Sequence, residues 1–150
     1  MTISNMGATA NAADINLAVI YIRISSQEQC MDGRNLEAQK RLLLKYARTH
    51  QHHIVRVFKD IETIEQSGRA GFNNMIRFLQ DHPGITNILV EGTDRIFRCL
   101  NDCFLISELG RQLHLVKEKK ALTLAKRDVY FKGLSSLLMM EGLQQADVLQ

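Results

Sequence analysis

Leu17-Ala-Val-Ile-Tyr-Ile-Arg-Ile24 is an almost unbroken apolar run, and Ser25-Ser26 follows it directly. A run this rich in β-branched residues predicts a strand buried on both faces, as in the interior of a parallel sheet. Residues 27–33 are polar and read as a loop. Across 34–49, Leu36, Leu43 and Ala47 share one helical face, with Leu42 and Tyr46 beside it. Ile54-Val-Arg-Val-Phe58 predicts a second strand, and 60–68 an acidic loop ending in Ser67-Gly68 just before Arg69. Phe72, Met75, Ile76 and Leu79 recur at i, i+3, i+4 and i+7, which predicts a helix over 71–81 closed by Pro83-Gly84.

Asn87-Ile-Leu-Val-Glu91 predicts a third strand. Gly92-Thr93 turns the chain, with Thr93 as N-cap of a helix running to about Gly110. Leu113-His-Leu-Val116 predicts a fourth strand, and 117–126 a basic connection. From Asp128 the pattern is helical again, with Phe131, Leu134, Leu137, Leu138, Met139, Met140 and Leu143 covering most of the circumference. Either a partner subunit or the helix's own domain covers such a surface. Strands alternating with helices place the chain in the α/β class. The expected architecture is a three-layer α/β/α sandwich with a mostly parallel sheet of four to five strands and right-handed crossovers.

A chain of 150 residues suits one domain with a proper core, and 45% hydrophobic with 23% charged residues is ordinary for a globular protein. A net charge of +3 permits a polyanionic partner without demanding one. No segment approaches the roughly 18 apolar residues of a membrane span, and residues 1–16 lack the features of a secretory signal. That opening stretch is expected to be a frayed tail. Three cysteines at unrelated spacings fit a reduced, cytoplasmic protein rather than a disulfide scaffold.

Ligands of open α/β sheets bind at the carboxyl ends of the strands, and three of these strands end in polar residues of one character. The first supplies Arg23 and Ser25. The second feeds a loop with Asp60, Thr63 and Arg69, and the third leads into Thr93-Asp-Arg-Ile-Phe-Arg98. A guanidinium stays charged, so Arg23 near the end of a buried strand needs a partner or open water. Arg95 and Arg98 fall in the first turn of a helix, where cations cost a few tenths of a kcal/mol each unless an anion compensates. Asp94, four residues before Arg98, offers an i, i+4 partner, so a local ion pair explains this turn as well as a site does. Four arginines (23, 69, 95 and 98), one serine and one aspartate form a coherent phosphoryl-transfer set. Arginine forks stabilise charge growing on phosphate oxygens, and a serine attacks phosphorus and keeps the phosphate as an ester. Asp94 positions an arginine or moves a proton; the residues alone leave both open. Ser25-Ser26 also reads simply as a turn or helix cap.

Tyr21-Ile-Arg-Ile-Ser-Ser-Gln-Glu-Gln29 resembles the nucleophile signature of the serine recombinases, the resolvase/invertase family. Leu36-Glu-Ala-Gln39, Asp60-Ile-Glu-Thr63, Gly68-Arg-Ala-Gly-Phe72 and Thr93-Asp-Arg-Ile-Phe-Arg98 match in the family's order and spacing. The resemblance covers roughly 17–143 and is closest in style to the large serine recombinases. It implies that Ser25 forms a 5′-phosphoserine bond to DNA, that Arg23, Arg69, Arg95 and Arg98 line the phosphate, and that Asp94, Gln29 and Gln39 support them. It implies double-stranded DNA and further copies of the chain as partners (a dimer, and a tetramer in synapsis). It implies no metal or ATP, no small-molecule substrate and no membrane. Ala70 stands where the family usually has proline, and Thr63 where it often has serine. The expected organisation is a tail over 1–16, a catalytic domain over 17–127 and the start of a long oligomerisation helix over 128–150, with no DNA-binding domain following. Two rival readings remain at this point. One is a non-catalytic remnant that regulates or caps full-length partners, and the other an unrelated phosphate-binding α/β module.

Other features are expected to be structural. His50, His52 and His53 read as solvated surface histidines, Cys99 and Cys103 as buried small hydrophobes, and Lys117, Lys119, Lys120, Lys126 and Arg127 as a solvated connector.

Overall fold

β1 (Asn16–Ser25) lies inside the sheet and carries both halves of the core. The computed structural model describes residues 16–25, 34–63 and 69–124. After β1 come α1 (Arg34–Thr49), β2 (His52–Glu62), α2 (Ala70–Asp81), β3 (Asn87–Val90), α3 (Thr93–Ile96), α4 (Leu100–Leu109), β4 (Gln112–Leu115) and β5 (Lys120–Thr123). The strands lie in the order β2-β1-β3-β4-β5. The first four are parallel, and β5 returns antiparallel to β4. The fold is thus α/β with a five-stranded, mostly parallel sheet.

Alternation along β1 sorts its side chains between two layers. Ala18, Ile20, Ile22 and Ile24 pack on Leu43 and Ala47 of α1. Val19 and Tyr21 face Phe72, Met75 and Leu79 of α2 and Ile106 of α4. The chain leaves β1 for β2, then reverses across β1 to reach β3. With right-handed crossovers, that reversal puts the later helices on the opposite face from α1. Gly71 lets α2 begin tight against β2, since a Cβ there would lie 2.3 Å from the Lys59 carbonyl oxygen.

Several expectations change. β2 extends to Glu62, so Asp60 and Glu62 sit in a strand rather than an acidic loop. An edge strand exposes much of itself, and its polar positions mimic a loop. The single helix expected from Thr93 to Gly110 is two helices, because Phe97 is extended (φ −100°, ψ 125°) and buried. Thr93 is not the N-cap; Gly92 is, and the Thr93 hydroxyl donates to Glu118 Oε2 at 2.9 Å. Within the basic connection lies β5, short and largely exposed, with too few apolar positions to show a strand period. Cys99 is exposed, whereas Cys103 is buried, and burial pushes its thiol up to about 12. His50 and His53 are exposed, but His52 is half-buried, stacked with Tyr46 and edge-on to His114. The helix expected over 128–150 and the tail lie outside the described residues, apart from Asn16, which starts β1.

Candidate active site

The carboxyl ends of β1, β2 and β3 share one rim because the three strands are parallel. Arg23 and Ser25 are two residues apart on β1, so both leave the face that also carries Tyr21. Their register partners on β2 are Asp60 and Glu62. β3 pairs with β1 only over Ala18–Ile20, leaving the last turns of β1 without a strand on that side. Gln39 of α1, 2% exposed, replaces it. The Arg23 N–H donates to Gln39 Oε1 at 3.3 Å, and Gln39 Nε2 donates to the Arg23 carbonyl at 3.4 Å. Arg95 Nη1 donates to the same carbonyl at 3.1 Å.

The guanidinium of Arg23 is held on three sides. Nη1 lies 3.0 Å from Glu62 Oε1, Nε donates to the Arg95 carbonyl at 3.3 Å, and Nη2 donates to the Asp94 carbonyl. Arg98 Nη1 reaches the same Glu62 oxygen at 3.2 Å. Arg95 Nε lies 3.6 Å from Glu91 Oε1 and 3.7 Å from Asp94 Oδ2. Arg69 enters from the start of α2. Its Nη2 donates to Asp102 Oδ2 at 2.7 Å and to the Ile96 carbonyl at 3.2 Å, and its guanidinium lies over the Phe72 ring. Asp102 Oδ2 also accepts the Arg98 N–H at 2.7 Å, which ties the Arg69 and Arg98 segments together. Arg98 has the most exposed side chain of the four, at 33% against 14–21% for the others.

Beneath this layer, Asp60 accepts from the Tyr21 hydroxyl at 2.6 Å, the Gly71 N–H at 2.7 Å and the Phe72 N–H at 2.9 Å. Burial first, then the hydrogen bond to Asp60 and after it the Asp60 charge, push the Tyr21 phenol well above its usual range. Tyr21 is therefore a fixed neutral donor.

The structure thus brings Arg23, Ser25, Arg69, Asp94, Arg95 and Arg98 to one rim, with Gln39 directly behind β1. Gln29 lies outside the described residues. The expected Asp94–Arg98 helical pair is replaced: α3 ends at Ile96, Asp94 pairs with Arg95, and Arg98 pairs with Glu62. Glu62, Asp102 and Tyr21 were not singled out from the sequence. Asp102 had a signal, an acid four residues beyond Arg98 in the first turn of a helix. Glu62 had none until β2 was known to extend past Asp60. Among the described residues, no three His, Cys, Asp or Glu side chains are grouped to hold a metal ion, and no helix is long and apolar enough to cross a membrane.

Fold and rim together define an α/β domain with a serine and clustered guanidiniums at the carboxyl ends of its parallel strands. The chain belongs to the resolvase family: the description "Resolvase, N terminal domain" matches residues 18–141. Several solved structures are similar, among them the following three. A resolvase family site-specific recombinase from Streptococcus pneumoniae is 21% identical, with TM-score 0.65, over 85% of this chain and 89% of that one. The N-terminal catalytic domain of TP901-1 integrase is 19% identical, with TM-score 0.64, over 85% and 97%. The C-terminal catalytic domain of ISC1926 TnpA, an IS607-like serine recombinase, is 25% identical, with TM-score 0.55, over 83% and 80%. No curated protein matches the chain significantly.

Proposed function

We propose that this chain is the catalytic domain of a site-specific DNA recombinase in which Ser25 is the nucleophile. Ser25 Oγ attacks a backbone phosphorus, the bond to the 3′-oxygen breaks, and the 5′ phosphate stays on the serine. The hydroxyl proton is lost as the new ester forms, and the departing 3′-oxygen gains one. After strands exchange between subunits, the 3′-hydroxyl attacks the phosphoserine and releases Ser25. Each step trades one phosphate ester for another, so the bond energy is conserved without ATP. Arg23, Arg69, Arg95 and Arg98 neutralise the equatorial oxygens as negative charge grows there. Asp94 and Gln39 act as positioning residues, Asp94 through Arg23 and Arg95, Gln39 through the backbone of Arg23. Gln29 is the third supporting residue, carried over from the resemblance. The partners are double-stranded DNA and further copies of the chain, in the cytoplasm.

The observation that carries this reading is the junction of Arg23, Arg95 and Arg98 at the end of the strand that ends in Ser25. The test is covalent trapping on DNA with a nick near the scissile phosphate. The chain, fused to a DNA-binding domain so that it assembles, is expected to give a protein–DNA adduct that Ser25→Ala abolishes. Adduct persisting in Ser25→Ala, or none in the unaltered fusion, contradicts the reading.

A further inference from the structure

Arg23 and Arg98 converge on one atom, Glu62 Oε1, from 3.0 and 3.2 Å. Glu62 ends β2 and is the register partner of Ser25, and neighbours in a parallel pair project to the same side of the sheet. The chain therefore sets a carboxylate beside its serine hydroxyl, at the meeting point of two arginine forks. Carboxylate and phosphate offer a guanidinium the same kind of paired-oxygen edge, so they compete for one seat. A phosphodiester brought against Arg23 and Arg98 would face a like charge if Glu62 stayed. Glu62 has a way out: its side chain is 24% exposed, and the strand ends at this residue. Arg23 stays in place without it, since its other nitrogens donate to the Asp94 and Arg95 carbonyls.

We propose that Glu62 is an internal stand-in for the scissile phosphate, holding Arg23 and Arg98 in register until DNA arrives and yielding them to the phosphodiester. The proposal rests on the recombinase reading and adds an anion exchange that precedes attack. Both arginines keep an anionic partner before and after the exchange. Glu62 thus lowers affinity for any phosphate that does not fit well enough to displace it.

Inorganic sulfate probes the seat without requiring DNA cleavage. Melting temperature is followed against sulfate at fixed ionic strength, for the full chain and for Glu62→Gln, with Glu62→Asp as a second, shorter carboxylate. Glu62→Gln is expected to bind sulfate about tenfold more tightly. Glu62→Asp should fall between it and the unaltered chain. The DNA concentration giving half-maximal adduct should drop in the same order. Unchanged or weaker sulfate binding in both variants, with the adduct intact, overturns the stand-in role alone. Adduct lost at saturating DNA with sulfate affinity unmoved makes Glu62 part of the chemistry and also overturns it. An unaltered chain that forms no adduct overturns the recombinase reading beneath it.

Discussion

Gln39 shows how much one side chain does at this rim. It sits on α1, yet its carboxamide holds both backbone groups of Arg23 on β1. Replacing it with leucine keeps the volume and takes the Gln39 acceptor from the Arg23 N–H, while the Arg23 carbonyl keeps Arg95 Nη1. The expected cost is about 1–3 kcal/mol in chemical denaturation, together with slower adduct formation as Arg23 loses its anchor. His114 is the second residue with a measurable signature. Asn87 Nδ2 donates to the Leu17 carbonyl, so Asn87 Oδ1 accepts from His114 Nε2, leaving His114 Nδ1 to accept from the Tyr46 hydroxyl. Both ring nitrogens are committed to the neutral form. Burial, then the charges of His52 and His50, lower its pKa to about 4. A histidine depressed on folding contributes fully above its unfolded value of about 6.5, and its contribution is lost as pH falls toward 4. Melting temperature should therefore decline over that window, and His114→Gln should flatten the decline. A curve unaltered by the substitution would contradict this assignment.

The helices that open onto the rim share a device. Arg69, Gly92 and Cys99 precede α2, α3 and α4, and none makes a side-chain cap bond. At two of them carboxylates from elsewhere take over, Asp60 of β2 at α2 and Glu118 at Thr93 of α3, whereas at α4 the helix's own Asp102 reaches back to the Arg98 N–H. Asp60→Ala removes the cap of α2 and the acceptor of Tyr21 together. It is expected to cost about 2–4 kcal/mol in denaturant unfolding, whereas a surface carboxylate such as Asp81 should cost under about 0.5. Caps borrowed across the fold also explain what the sequence could and could not tell. Local cap rules look one to three residues away, and here the acceptors lie 11 residues from Gly71 and 25 from Thr93. Helices α1 and α2 were legible because their apolar faces repeat at helical spacing. The break at Phe97 was not, because an extended apolar residue between two helical segments keeps the local pattern intact. β5 stayed hidden for the opposite reason, four residues with one lysine and little burial carrying no period.

Across the whole molecule, position on the sheet does most of the work. The β2-β1-β3 order puts the serine strand between two neighbours, and parallel directions bring all three ends to one side. Residues from 23 to 102 then meet within one connected set of ion pairs and hydrogen bonds. The gathering of the arginines at one rim was legible in outline from strand ends alone. The carboxylates that hold them apart were not, since partner choice depends on the register of β2 against β1.

The most direct test of the account asks whether the guanidiniums serve the charge on the phosphate. Arg98 is suited to it, being the most exposed of the four and paired through its side chain with Glu62. Adduct formation is measured for the unaltered fusion and for Arg98→Ala, on DNA carrying either a normal phosphodiester or an uncharged methylphosphonate at the scissile position. The account predicts that Arg98→Ala slows attack on the phosphodiester by about 10²-fold or more, and that this loss largely disappears on the neutral substrate. An equal loss on both substrates would place Arg98 outside the phosphate's charge and contradict the account.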